Sequence, residues 1–518
     1  MPLVNHPSLG SVRGTLDNGV EAYLGIQYAT LSHPFAAAVP VEIHRHTADD
    51  FLDATSYGPT VPGPDGCDAE LALIQHDLPR QHAQQSMTDG LTLNILRTQK
   101  EFSSLLPVLV FLHGGGLAVG SATWSQNRLS KLISVSGEQD LPTVGVSVNY
   151  RVGPAGFLTS EEMRNAGFPP NNGLKDQRAA LEWVKDHIAG FGGDPDNITL
   201  VGHSAGAACA TYHLASHKPL FNRIVCLSGT FLAVRTLPSP VHEALYAQSI
   251  RILGLEQMST EERIRRLQKI SSTDLARIAV VLSRPITDDD VCLMTPSFEG
   301  IQDGIPTSLH PLWCKDILIG DCQFDGSILA SAFDGHTNDI SRRFRAFLTD
   351  QLADVPDAAS RLLAAYRFTA DDDAALKQIL KLANDIVFYA PTVAIARAWQ
   401  HGAAYVYRFD QGNPWEGRWQ GEASHITDLA MLTQNFNEVL PDEHREVAKM
   451  YARDLLTFAS GQPPWEAFKP GPSPFSKTYG GSLSGEGRRE LIWGFMDEIG
   501  ADRLAALIDG FIATTTSP

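Results

Sequence analysis

An α/β architecture, with a mainly parallel sheet covered by helices on both faces, is predicted by three observations. Short apolar runs rich in Val, Ile and Leu alternate with segments of helical period, at 107–112, 143–150, 198–201, 223–227, 316–320 and 404–409. Strands buried on both faces of a parallel sheet read as such continuous runs. The run 198–201 leads into Gly202-His203-Ser204-Ala205-Gly206 and a helical stretch over 205–216, the strand–turn–helix setting that a Gly-x-Ser-x-Gly motif requires. Three consecutive glycines, Gly114 to Gly116, follow the run 107–112, where no regular element would tolerate them.

The totals bound the answer. A chain of 518 residues allows three domains by length, but α/β folds also grow large as single units. Residues 1–518 are read as one domain with loop or lid insertions around 62–90 and 230–345. Forty-one basic against 59 acidic residues give a net charge of −18, which argues against a nucleic-acid partner, since that needs a basic face. Six cysteines, at 67, 209, 226, 292, 314 and 322, show no metal-type spacing, and Cys209 and Cys226 read as small core residues. The chain opens without a charged n-region and apolar h-region, and its longest apolar runs, such as 105–112, are too short to span a bilayer. A cytoplasmic protein with reduced thiols is expected. Neither metal nor organic cofactor is implied, and the oligomeric state is left open.

In chain order, 11–28 reads as a β-hairpin closed by Asp17-Asn18-Gly19, residues that accept the positive φ of a tight turn. Residues 30–90, rich in Pro, Gly and Asp, read as loops. His44-Arg45-His46 lies there with no further ligands nearby, so a solvated turn is preferred to a metal site. Strands are expected over 91–96, 107–112 and 143–150. The segment 176–188 places Ala180, Trp183, Val184 and Ile188 on one helical face, and Phe191-Gly192-Gly193-Asp194-Pro195 ends that helix. Beyond the serine motif, helices are expected at 259–270 and 385–399. Asp288-Asp289-Asp290 and Asp371-Asp372-Asp373 read as helix starts or loop surface. Asn197-Ile198-Thr199 matches a glycosylation acceptor but runs into a buried strand. The tail Thr-Thr-Thr-Ser-Pro is expected to be disordered.

The motifs carry a chemistry. A serine hydroxyl is a weak nucleophile at neutral pH; it needs a base, and the base needs an orienting acid. Gly202 and Gly206 lack a Cβ, so strand and helix can approach while Ser204 is held exposed in a strained turn. The triple glycine after His113 leaves backbone N–H groups free to meet an anion. Acid and base follow the serine on loops after later strands. Asp321 and Asp325 both follow the run 316–320, and Asp325 is preferred because Gly326 permits a tight turn beside it. His425, in Gly421-Glu422-Ala423-Ser424-His425, follows the strand ending at Phe409. His213 and His217, on the helix after the serine, read as structural.

These residues resemble the type-B carboxylesterase/lipase family, the branch of the α/β-hydrolase fold that includes cholinesterases and fungal lipases. Matching stretches run from about Gly14 to Phe468. They include Gly25-Ile26-Gln27-Tyr28-Ala29, Leu93-Asn94, His113-Gly114-Gly115-Gly116, Asn149-Tyr150-Arg151, Asn172-Gly173-Leu174 with Asp176-Gln177, Phe191 to Pro195, Gly202 to Ala207 and Ser228-Gly229. The resemblance implies Ser204 as nucleophile, His425 as base, Asp325 as acid, and the N–H groups of Gly115, Gly116 and Ala205 as oxyanion donors. It implies that Ser228 buttresses the acid and that Arg151 and Asp176 form a buried ion pair.

The chain also departs from the family. His203 stands where Glu is usual, and Asp325 where Glu is usual. Gly90 stands where the disulfide partner of Cys67 would be, and a second family disulfide has no counterpart. Pro34 and Thr88 replace the two halves of an ion pair together. The resemblance, with its missing disulfides, reads as an intracellular member of fungal type. It implies hydrolysis of a small-molecule carboxylic ester through an acyl-enzyme. An acyltransferase, lactonase or cyclase acting on a specialised metabolite would use the same residues, and a catalytically dead binding protein would keep only the fold.

Overall fold

Strand Leu106–Leu112 shows how the sheet is built. Val108, Val110 and Leu112 point into one core while Leu109 and Phe111 point into another, the alternation of a strand with both faces dry. The computed structural model describes residues 1–47, 50–81, 83–100, 102–302, 304–305, 312–469, 476–481 and 486–516. Its central sheet has ten strands, here β1 (Thr15–Asp17), β2 (Val20–Gln27), β3 (Thr92–Thr98), β4 (Leu106–Leu112), β5 (Val144–Val148), β6 (Gly193–His203), β7 (Arg223–Leu227), β8 (Asp316–Cys322), β9 (Ala404–Phe409) and β10 (Lys477–Tyr479). The spatial order is β10-β9-β8-β7-β6-β4-β5-β3-β2-β1. β4 to β10 are parallel, and β1 to β3 add an antiparallel edge.

The expected hairpin is β1–β2, turning through Asn18 (φ 48°) and Gly19 (φ 79°) with Asp17 opposite Val20. Helices Asn172–His187, Ala205–Tyr212 and Asp372–Asn384 cover one face, and Ser130–Glu138, Thr427–Leu432 and Asp442–Ala459 the other. Helices Ser239–Leu253, Thr260–Gln268 and Ser272–Ile278 close a third cluster around Phe35, Met163 and Phe168. This is the α/β-hydrolase arrangement.

Several local expectations need correction. Residues 30–90 are not all loop: Cys67–Ile74 is helical, with Leu71 and Ile74 buried. The tail is not all disordered, because helix Ala501–Thr516 runs through its threonines; residues 517–518 lie outside the described part. The segment 385–399 continues the helix before it through a π-turn, Asp385–Tyr389, into Ala390–Ala398. The whole run Asp372–Ala398 is long and apolar enough to cross a membrane, but 83% of its apolar window is buried in the protein. It is a core helix.

Asp371 caps its helix through the Ala374 N–H, as an acidic helix start should. Asp288 accepts from the N–H groups of Asp290, Val291 and Cys292 in a loop. Among the described residues no group of His, Cys, Asp and Glu could hold a metal ion. All six cysteines are buried free thiols. A Cβ at Gly90 would stand 2.5 Å from the Val61 nitrogen, so backbone packing occupies the place where a disulfide partner would sit.

Candidate active site

Ser204 sits where β6 gives way to helix Ala205–Tyr212, with φ 53° and ψ −123°. A non-glycine residue is strained there and persists only where its surroundings impose it. They do: a Cβ at Gly202 would come 2.3 Å from the Gly206 oxygen, one at Gly206 2.2 Å from the Leu112 oxygen, and one at Gly229 2.2 Å from the Ser204 oxygen. The Ser204 N–H donates to the Leu227 carbonyl at 2.8 Å. Strand, helix and neighbouring loop thus close on the serine because three side chains are missing.

The hydroxyl so presented lies 2.9 Å from His425 Nε2, and His425 Nδ1 lies 2.7 Å from Asp325 Oδ1. A carboxylate only accepts, so Nδ1 carries the proton and Nε2 is left to accept from the serine hydroxyl. The other Asp325 oxygen accepts the Cys322 N–H at 2.7 Å, and the His425 N–H donates to Ser327 Oγ at 2.9 Å. Asp325 and His425 are both buried. Asp325, preferred on the strength of Gly326, is the one that reaches the histidine. Asp321 faces away and meets Arg489. A Cβ at Gly326 would come 2.0 Å from the Leu380 oxygen, which accounts for the tight turn.

The triple glycine lies beside the serine. Gly115 has φ 105° and Gly116 φ 63°, and a Cβ at Gly115 would stand 2.1 Å from the Val119 oxygen. The Gly115 carbonyl accepts from the Ala118 and Val119 N–H groups at 3.0 and 3.1 Å, which fixes the turn. Among the described residues no acceptor meets the N–H of Gly115 or Gly116. The N–H of Ala205 opens its helix and has no partner within it. His113 begins the turn with its ring stacked on Tyr150 at 4.3 Å, and burial lowers its pKa to about 4. It is therefore neutral at physiological pH and adds no charge.

Ser228 behaves differently from its expected role. Both Asp325 oxygens are already engaged, and the Ser228 hydroxyl donates to Asp428 Oδ2 at 3.1 Å instead. The Tyr407 hydroxyl donates to the same oxygen at 2.9 Å, and the Leu429 N–H to Asp428 Oδ1 at 2.8 Å. Burial first, and then the charge of Asp325, raise the Asp428 pKa. His203, where the family has Glu, lies with its ring 5.3 Å from that of His425 and its Nε2 3.6 Å from Asp428. Burial pushes its pKa well below the usual value, so this replacement brings a neutral ring where the family carries an acid.

Sequence reasoning did not single out Asp428, Phe388 or Glu70. Phe388, in the π-turn, packs 5.4 Å from the His425 ring. Glu70, on helix Cys67–Ile74, accepts from Gln126 Nε2 at 3.0 Å, and burial raises its pKa to about 7. Only the nearness of Asp428 to His425 along the chain could have marked it out. The ion pair carried by the resemblance is present: Arg151 holds Asp176 through two 2.7 Å contacts, both side chains fully buried.

A sharp turn bringing a serine to a histidine–carboxylate pair, at the C-terminal ends of parallel strands, is an arrangement of the α/β-hydrolase class. The chain belongs to the carboxylesterase family, whose model matches residues 2–482. It is 29% identical over 488 residues to the para-nitrobenzyl esterase of Bacillus subtilis (strain 168), covering 88% of this chain and 90% of that protein. It is 33% identical over 272 residues to the inactive carboxylesterase-like protein VdtD of Byssochlamys spectabilis, covering 51% of this chain and 45% of that one. A solved PNB esterase structure matches with a TM-score of 0.69 and 27% identity, over 90% of this chain and 93% of that one. By family and by relatives the protein is a carboxylic ester hydrolase.

Proposed function

We propose that the protein cleaves small-molecule carboxylic esters through an acyl-enzyme on Ser204. His425 Nε2 takes the hydroxyl proton as Ser204 Oγ attacks the acyl carbon. Asp325 holds the ring in the tautomer this needs and stabilises the imidazolium that forms. The N–H groups of Gly115, Gly116 and Ala205 receive the oxyanion; removing one such donor costs about 2.7–4 kcal/mol in comparable enzymes. His425 then returns its proton to the departing alcohol, and a water activated by the same ring releases the acid.

The observation that carries this reading is the unbroken chain Ser204 Oγ–His425–Asp325, at 2.9 and 2.7 Å. It supports an active member of the family over a binding protein that has lost its chemistry. We read residues 1–518 as one hydrolase domain whose loops at 62–90 and 230–345 shape the substrate's surroundings, and the six free buried thiols support a reducing, cytoplasmic setting. Replacing Ser204 with Ala should abolish turnover of a short-chain p-nitrophenyl ester. A Ser204→Ala protein as active as the parent would refute the assignment.

A further inference from the structure

The family model ends at residue 482, yet the chain goes on into helix Glu486–Ile499, which places Arg489 in the protein's interior at 3% exposure. Arg489 Nη2 donates to the Cys322 carbonyl at 2.7 Å and lies 2.8 Å from Asp321 Oδ2. Both partners are the last two residues of β8, just before the turn that carries Asp325. The opposite edge of the Cys322 residue, its N–H, is what fixes Asp325 Oδ2 at 2.7 Å. One residue is thus gripped from two sides, by the guanidinium at its carbonyl and by the Asp325 carboxylate at its N–H. The rest of the turn is tied down by Gln323 N–H to the Phe409 carbonyl and Phe324 N–H to the Ala423 carbonyl, both at 2.9 Å. Without Arg489, the end of β8 would keep only the ties on its far side.

We infer that Arg489 is a positioning residue for the Asp325 carboxylate, so that the C-terminal helix is a working part of the ester-cleaving site. The inference rests on the Ser204–His425–Asp325 reading above. One nitrogen, Nη2, reaches both the carbonyl and the carboxylate, and the rigid planar guanidinium fixes its direction better than an ammonium on a flexible stem would. Several carboxylates, Asp321, Asp325, Asp385 and Asp410, are crowded near this arginine or its partner. A cation at this point also keeps Asp321 from repelling the carboxylate that His425 needs. Because the acid acts by orienting the base, slack in its turn belongs to the chemical step and not to substrate binding.

The test uses the full-length protein and a p-nitrophenyl ester, with three variants. Arg489→Met should lower kcat by about 10- to 100-fold, the scale of a small misplacement within a catalytic group, with KM unchanged. Asp321→Asn combined with Arg489→Met removes the Asp321 charge together with its partner; it should recover part of the thermal stability yet keep the loss in kcat. Arg489→Lys keeps the charge and should fall between parent and Met. Parental kcat in the double variant or in Arg489→Lys would overturn the inference, reducing Arg489 to a charge balance. If Ser204→Ala is inactive while the Arg489 variants work normally, only this inference fails. If Ser204→Ala is active, the underlying reading fails first.

Discussion

The serine side and the acid side of the site are built on different principles. Ser204 and the triple glycine are positioned by what is missing: Gly202, Gly206 and Gly229 have no Cβ to keep backbones apart, and the two neighbouring imidazoles, His113 and His203, are held unprotonated by burial. Asp325 is positioned by what is present: a ring nitrogen, the Cys322 N–H and, through the carbonyl of that same residue, a buried arginine. The first kind of constraint is local and steric. The second is distant and electrostatic, and it buries charge that a partner must balance. Asp321 illustrates this: burial raises its pKa to about 7 against the opposing pull of Arg489.

Breaking the acid side at its centre should have the largest effect. Asp325→Asn presents an amide to His425 Nδ1, which favours the wrong ring tautomer. A loss of about 10⁴ in kcat is expected, as for the equivalent change in other serine hydrolases. Asp321→Asn should leave the histidine's tautomer untouched. Comparable losses in the two variants would erase the distinction drawn between these neighbours. On the serine side, Gly115→Ala drives a Cβ to within 2.1 Å of the Val119 oxygen, and the displaced donors should lower kcat by about 10²–10³. At Gly116 a Cβ meets open space, so Gly116→Ala should be milder. The reverse order would mean that the turn is not held as described.

A further effect, on folding and not on turnover, is a pH dependence of stability. Burial lowers His113 to about 4 and His213 to about 3, whereas the unfolded chain takes up these protons near 6.5. Between those values the unfolded state binds more protons, so stability is full above 6.5 and falls as the pH drops below it. Each histidine contributes about 1.4 kcal/mol per pH unit over its window. Urea unfolding at pH 7, 6 and 5 should show this decline, and His213→Gln should make it shallower. An unchanged slope would remove His213 from the account.

The same contrast explains what could be read from the sequence. Gly202 to Gly206 and Gly114 to Gly116 announce themselves, because a backbone that must turn sharply selects glycine at adjacent positions. The parallel strands were legible as apolar runs, although β6 extends to Gly193, well before its apolar part. The acid was narrowed to Asp321 or Asp325, with Asp325 preferred for its neighbour Gly326; which of the two meets His425 depends on how the chain bends after β8. Asp428 and Arg489 were not legible: each matters through a partner more than 100 residues away. The role given to Ser228 failed for a related reason, as a shorter acid with both oxygens engaged leaves it to Asp428. Helix Cys67–Ile74 was hidden by the Pro- and Gly-rich stretch around it.

The central claim is that Ser204 is the residue activated by His425 and Asp325. A fluorophosphonate reacts with an activated serine and leaves a covalent adduct, so peptide mapping of the labelled protein tests the claim directly. The account predicts one adduct, on Ser204, whose formation is strongly slowed in His425→Ala. An adduct on another residue, or none on a folded protein that still hydrolyses a p-nitrophenyl ester, would contradict it.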